Sequence, residues 1–275
     1  MIIDSHQHFW KYEVEKHDWI DDEMSVIRKN FLPSDLEKVY KNNGIDGCVA
    51  VQADQTLEEN KFLIELAEQH NFIKGIVGWV DLKNSGVESD LEKYNDFSIM
   101  KGFRHVVQGE ADYNFLLRPD FLRGISLLEK YNYTYDILVF PHQLGSVLEF
   151  VKRFPNQKFV IDHIAKPYIK DGFYDGWAAL MLEIGKQENV FCKLSGMITE
   201  ADYKDWTPKQ ITPYMDLVLK AFGAGRILFG SDWPVCLVAG EYKSVKKLVF
   251  DFIQNLSRIE QEAILGKNAI TFYNL

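Results

Sequence analysis

Met1-Ile2-Ile3-Asp4-Ser5-His6-Gln7-His8-Phe9-Trp10 opens the chain with a short apolar strand that runs straight into two histidines one residue apart. Side chains of a strand alternate between its faces, so His6 and His8 point the same way. Where such a strand gives way to its loop, two imidazoles converge on one point, as a metal site or a carbonyl-polarising pocket requires. A bare His-x-His pair is more often two solvated loop histidines. Its meaning here rests on what the rest of the chain aims at the same place.

Outward from that stretch, apolar runs alternate with segments of helical spacing about eight times. After a long polar and aromatic loop, Pro33-Ser34-Asp35 reads as a helix start and Asn43-Gly44 as its end. Gly47-Cys48-Val49-Ala50-Val51-Gln52 is too uniformly apolar to face water on one side, and suits a parallel strand covered on both faces. With a first strand at 1–4, further strands are expected at 73–82, 99–107, 134–140, 158–163, 189–195 and 226–230. Leu63, Leu66 and Ala67 share one helical stripe and Leu144, Leu148 and Val151 another, and helices are also expected near 121–132, 211–222 and 260–273. Strand, crossover helix and strand in this repetition predict an α/β fold, a (β/α)₈ TIM barrel forming a single domain over residues 1–275. The competing open doubly wound sheet would carry a Gly-rich phosphate loop after an early strand, where this chain has histidines.

Composition fits that reading. The 275 residues match one barrel of about 250 residues. A hydrophobic fraction of 47% with 19 Phe, 13 Tyr and 6 Trp supplies a large core. The net charge of −9 is spread without a basic run, which argues against a nucleic-acid partner. No leader pattern and no apolar run of about 18 residues is seen, so the expectation is a cytoplasmic protein with no membrane partner. Cys48, Cys192 and Cys236 lie far apart in apolar runs and are expected to be reduced, buried thiols.

In a barrel, residues at the C-terminal ends of the strands share one mouth whatever their separation in sequence. That geometry gathers His6, His8, Trp79, Arg104, His105, His142, His163, Lys193 and Asp232; five of the seven histidines fall at strand ends. Each has a bland alternative. His163 could be a core imidazole bonded to backbone, Asp232 a helix cap, and Arg104 half of a structural ion pair. Lys193, inside a strand, must be paired if it is buried. Tryptophans are more often core than binding platform, Trp233 being the most promising exception.

These residues carry a resemblance. His6-x-His8 after the first strand, His142 and His163 after the fifth and sixth, and Asp232 after the eighth resemble the amidohydrolase superfamily of metal-dependent barrels. Ile3-Asp4-Ser5-His6-Gln7-His8-Phe9-Trp10, Lys101-Gly102-Phe103-Arg104-His105-Val106-Val107-Gln108, Val160-Ile161-Asp162-His163-Ile164-Ala165-Lys166-Pro167 and Phe229-Gly230-Ser231-Asp232-Trp233-Pro234-Val235 resemble its sugar-lactonase branch, the L-fuconolactonase and L-rhamnonolactonase-like enzymes. Two-metal members place a bridging Lys or Glu at the end of the fourth strand; Phe103-Arg104-His105 stands there instead, which argues against a binuclear centre. The resemblance implies an optional single divalent metal, Zn²⁺, held by His6, His8, His142, His163 and Asp232, since the lactonase branch is similar to enzymes that work without metal.

It further implies a small-molecule sugar lactone as substrate, with homo-oligomerisation left open. Asp232 is the expected general base, its basicity raised by partial burial, with Arg104 and the strand-one histidines opposing the oxyanion and His163 beside them. Gln7, Gln52, His105 and Tyr113 are expected to read substrate hydroxyls, with Trp10, Trp79 and Trp233 as a flat wall and Lys193 as a further substrate contact. Two alternatives remain: a metal-dependent amidohydrolase or decarboxylase acting on another small acid, and a sugar-binding barrel without catalysis.

Overall fold

The computed structural model describes all 275 residues. Eight strands, β1 (Ile3–Gln7), β2 (Gly47–Val51), β3 (Ile73–Gly78), β4 (Met100–His105), β5 (Thr134–Ile137), β6 (Phe159–Ile161), β7 (Val190–Leu194) and β8 (Ile227–Phe229), run parallel in sequence order. Just past β8 the chain returns to β1. Gln7 bridges Trp233, the Asp232 N–H donates to the His6 carbonyl at 2.8 Å, and the His8 N–H donates to the Trp233 carbonyl at 2.7 Å. The sheet thus nearly closes into the expected barrel.

Between and after the strands run α1 (Pro33–Asn43), α2 (Leu57–Gln69), α3 (Val87–Tyr94), α4 (Pro119–Leu128), α5 (Leu144–Arg153), α6 (Asp175–Gly185), α7 (Pro208–Phe222), α8 (Tyr242–Ile253), α9 (Arg258–Glu262) and α10 (Asn268–Tyr273). The bounds of α1 show the local physics. Pro33 occupies the first turn, where its missing N–H is not needed, the Asp35 carboxylate accepts the Leu32 N–H, and Gly44 ends the helix at φ +65°. The first strand is displaced from the expected 1–4 to Ile3–Gln7, so His6 lies within it. None of the helices is long and apolar enough to cross a membrane.

Two apolar cores result. The larger fills the space between strands and helices; the smaller joins Ile3, Val49, Val51, Val77, Val160 and Leu228 to Ala269, Phe272 and Tyr273 of α10, which stoppers the lower end of the barrel. Full burial of each large apolar side chain contributes about 1.5–3 kcal/mol, so this plug matters to stability. The pairing of β1 with β2 slips between Asp4 and Gln7. The slip lets Ile3 and His6 both face inward while Asp4 turns out to accept the hydroxyls of Tyr40 on α1 and Tyr242 on α8. All three cysteines are free and buried, as expected.

Candidate active site

Five of the expected residues meet at the upper end of the barrel: His6, His8, Arg104, His163 and Asp232. The His8 Nδ1–H donates to the Val51 carbonyl at 2.8 Å, which leaves the Nε2 lone pair facing inward. His6 Nδ1 lies 3.2 Å from Asp162 Oδ1 and 3.1 Å from Lys193 Nζ, and Arg104 Nη1 stands 3.3 Å from His6 Nε2. His163 Nδ1 bonds the Ser195 hydroxyl at 2.9 Å. Opposite them stands Asp232, held at φ +58° by the turn that follows β8. Its Oδ1 is 3.4 Å from His8 Nε2 and 3.8 Å from both His6 Nε2 and His163 Nε2. That oxygen is buried and has no hydrogen-bond partner.

Beneath the imidazoles lies a layer of paired charge. Arg104 donates to Asp162 Oδ2 at 3.0 Å and to the Gln52 side-chain oxygen at 2.7 Å. Lys193 bridges Asp136 and Asp162, and the Tyr273 hydroxyl donates to Asp136 at 2.8 Å. Two buried cations thus face two buried carboxylates, as the cost of burying unpaired charge requires. Burial alone would raise the Asp162 carboxyl, but Lys193, His6 and Arg104 hold it well below the usual carboxylate range.

Burial lowers two of the site imidazoles: His6 is pushed well below its ordinary value, and His163 down to about 4. Asp232 differs from expectation. Burial would raise it, yet the facing His163 and the nearby His8 and His6 outweigh burial and hold it below the ordinary carboxylate range. A carboxylate oxygen among imidazole nitrogens is a donor set for a divalent cation. Ligands of a tetrahedral zinc at about 2.0–2.1 Å stand about 3.3 Å apart. His6 Nε2 and His8 Nε2 are 3.2 Å apart, and His8 Nε2 and Asp232 Oδ1 3.4 Å. His6, His8 and Asp232, with the unpartnered Oδ1, therefore fit such an ion, and His6, Asp162 and His163 form a second close group.

Above this floor opens a cavity of about 450 Å³ lined by His8, Arg104, His163 and Asp232. Trp19, Met24, Val106, Leu138 and Val235 supply apolar walls, and Lys16, Gln55, Gln108, Lys166 and Glu200 are among its polar residues. The volume is of the size that takes a small organic molecule.

Other expected site residues lie elsewhere. His142 is exposed beyond the rim, bonded to the Tyr168 hydroxyl at 3.1 Å and packed against the exposed Tyr113, so it is no part of the donor set. Strand alternation sends Gln7 outward, where its amide donates to Cys48 Sγ at 3.3 Å. It also turns His105 away from the cavity, stacked on Phe115 and paired with Glu110 at 2.7 Å. Trp79 follows its strand to that side, its indole N–H directed at His105 Nδ1. Trp10 donates to the Lys29 carbonyl and packs on Phe31 and Trp19; Trp233 is buried against Phe9 and Phe31. Lys193 is fully buried below the imidazoles and holds carboxylates instead of substrate. Gln52 reaches the site only through Arg104.

Residues that the sequence reading passed over include Asp136 and Asp162. Charge balance was the available signal, since two cations inside strands demand two buried anions.

Known proteins share this arrangement of the whole chain. Residues 3–275 match the family described as Amidohydrolase. An L-fucono-1,5-lactonase of Burkholderia multivorans is 37% identical, with 99% of this chain and 96% of that protein covered. An L-fucono-1,5-lactonase of Burkholderia ambifaria is 35% identical, with 99% and 95% covered. A crystal structure of a Burkholderia multivorans amidohydrolase with bound zinc superposes with a TM-score of 0.96 at 37% identity, covering 100% of this chain and 99% of that one.

Proposed function

Because this chain belongs to the amidohydrolase family, we propose that it is a hydrolase opening a sugar lactone, an aldonolactone of the L-fucono or L-rhamnono type, to the aldonic acid. One observation carries the reading: the buried, unpartnered Oδ1 of Asp232, ringed by three imidazole nitrogens on a closed-floored cavity. The lactonase names of the two relatives that match along almost their whole length support it.

Lactone hydrolysis needs an activated water, stabilisation of the charge that grows on the carbonyl oxygen, and a proton for the departing ring oxygen. Asp232 takes the proton from water. Its low proton affinity keeps it ionised across the working pH range, and its unpartnered oxygen is free to accept. Arg104 lines the cavity, so its guanidinium charge opposes the growing oxyanion, and a well-placed donor of this kind is worth roughly 3 kcal/mol. His8 and His6 fix the floor on which the carbonyl sits. A Zn²⁺ held by His6, His8 and Asp232, with His163 alongside, would supply Lewis-acid polarisation of that carbonyl.

The test is acid release from L-fucono-, L-rhamnono-, D-arabinono- and L-galactonolactone, measured before and after exhaustive chelation. Hydrolysis of the L-fucono or L-rhamnono compound is expected. Loss of activity on chelation with recovery on Zn²⁺ would make His6 and His8 ligands in the working enzyme. No acid from any lactone would overturn the reading.

A further inference from the structure

An indole is a large apolar body with one polar handle, and proteins usually bury the first and bond the second. Trp10 gives its N–H to the Lys29 carbonyl at 2.9 Å, Trp177 to the Ile164 carbonyl at 2.8 Å and Trp206 to the Ala239 carbonyl at 2.8 Å, while that of Trp79 is directed at His105 Nδ1. The N–H of Trp19 has no such acceptor, and the residue is 40% exposed on the wall of the cavity. On the lactonase reading, we propose that Trp19 is the platform on which the lactone ring lies.

The loop that carries it holds it still. Residues 11–30 leave and return through one antiparallel bridge, in which Trp10 and Phe31 exchange backbone hydrogen bonds of 3.0 and 2.9 Å. Within the loop Ile20 and Ile27 are buried, and the Arg28 guanidinium donates to the Ile20 carbonyl at 2.9 Å, which fixes the residue next to Trp19. Trp10 packs against Trp19 with ring centroids 5.9 Å apart and planes at 89°. The indole is thus placed before a ligand arrives, and little ordering remains to be done on binding.

Position separates Trp19 from other exposed apolar side chains. Such residues scattered singly over a surface are normal, and Val14 and Tyr113, 64% and 60% exposed and off the cavity, are of that kind. Trp19 instead shares the cavity with Arg104 and Asp232, and with the apolar Met24, Leu138 and Val235. The ligand it suits therefore has an apolar face and a reactive, polar edge.

A sugar lactone is such a molecule. Its ring hydrogens make a C–H face, while its carbonyl and hydroxyls project from the rim. Laying that face on the indole removes apolar surface of both from water. A rim hydroxyl can also accept the Trp19 N–H.

Trp19→Leu and Trp19→Phe are to be compared with wild type, first in hydrolysis of an aldonolactone. A platform serves substrate and transition state alike, so KM should rise by about 5–50-fold in Trp19→Leu with kcat within about threefold of wild type, and by less in Trp19→Phe, which keeps a flat ring. The second assay titrates intrinsic fluorescence with the matching aldonolactam, whose amide resists hydrolysis. Wild-type emission should change, and the change should vanish in Trp19→Phe, because Trp10, Trp177 and Trp233 are buried away from the ligand. An unchanged KM in Trp19→Leu, a loss confined to kcat, or a fluorescence change that survives in Trp19→Phe would overturn the assignment. Thermal unfolding reports whether each variant folds, and the phenylalanine titration decides if the leucine variant does not. Any of those results in an enzyme that still opens lactones removes this inference alone. A wild type that hydrolyses no lactone removes the lactonase reading, and the lactam titration then decides whether a sugar ring lies on Trp19.

Discussion

The two halves of the barrel interior are made from the same eight strands, yet they obey opposite rules. The lower half packs Ile3, Val49, Val51, Val77, Val160 and Leu228 against Phe272 and Tyr273, with hardly a polar atom. The upper half holds His6, Arg104, Asp136, Asp162, Lys193 and Asp232, all buried. The first half stabilises by removing apolar surface from water. The second gives up that gain and returns paired charge, which breaks roughly even at best. Stability and chemistry are thus separated along each strand, the division that parallel barrels use generally. Tyr273 joins them, its ring in the apolar cluster and its hydroxyl on Asp136.

Three measurements would break or sharpen this division. The largest effect is expected for Asp232→Asn, because asparagine tolerates the left-handed backbone at this position but cannot take a proton. Turnover of lactone should fall by about 10²–10⁴-fold while the unfolding midpoint barely moves; a full-speed variant would end the assignment of Asp232 as base. Phe272→Ala should do the reverse, costing about 3–5 kcal/mol in denaturant unfolding while kcat per folded molecule stays unchanged. A large loss of kcat at full folding would show that the plug shapes the site.

The smallest effect concerns the rim. Glu59 at the start of α2 accepts the Ala53 N–H at 2.9 Å, and burial pushes its carboxyl up to about 7 from 4.5. A carboxyl with a raised folded value binds its proton more tightly in the folded state. Its contribution is therefore complete below about pH 4.5 and is lost as pH rises through about 7. Glu59→Gln, always neutral, should gain melting temperature relative to wild type between pH 5 and 8 and none at pH 4; a difference independent of pH would refute this.

Much of this is legible in the sequence. Eight alternations of strand and helix fix a barrel, and a barrel turns strand ends into neighbours; hence His6, His8, Arg104, His163 and Asp232 could be named together. What escaped was parity. Gln7 and His105 each sit one residue from a cavity-facing side chain, and a single step along a strand moves a residue to the other face. The slip inside β1 hides even that rule, because it lets Ile3 and His6 share a face. Short α3 offers only Val87, Leu91 and Tyr94 as buried positions over eight residues, too few for a clear stripe. Little in His163-Ile164-Ala165-Lys166 announces the left-handed turn these residues form, since only His163 is of a type enriched there. Trp19 reaches the cavity while Trp10, Trp79 and Trp233 do not, because loop packing decides where an indole ends up.

The seam between β1 and β8 also sets an order of events. Ser5 bonds the Phe229 carbonyl and Asp4 the Ser231 N–H, contacts that span 224 and 227 residues of chain. Loop closure over such a span costs only slightly more than over half of it, but contacts this distant in sequence form slowly. His6 and Asp232 stand on opposite sides of that seam, so no partly assembled chain can bring the two together. After dilution from denaturant, helical circular dichroism should return first and lactone turnover last, which makes activity a clock for the closing of the barrel.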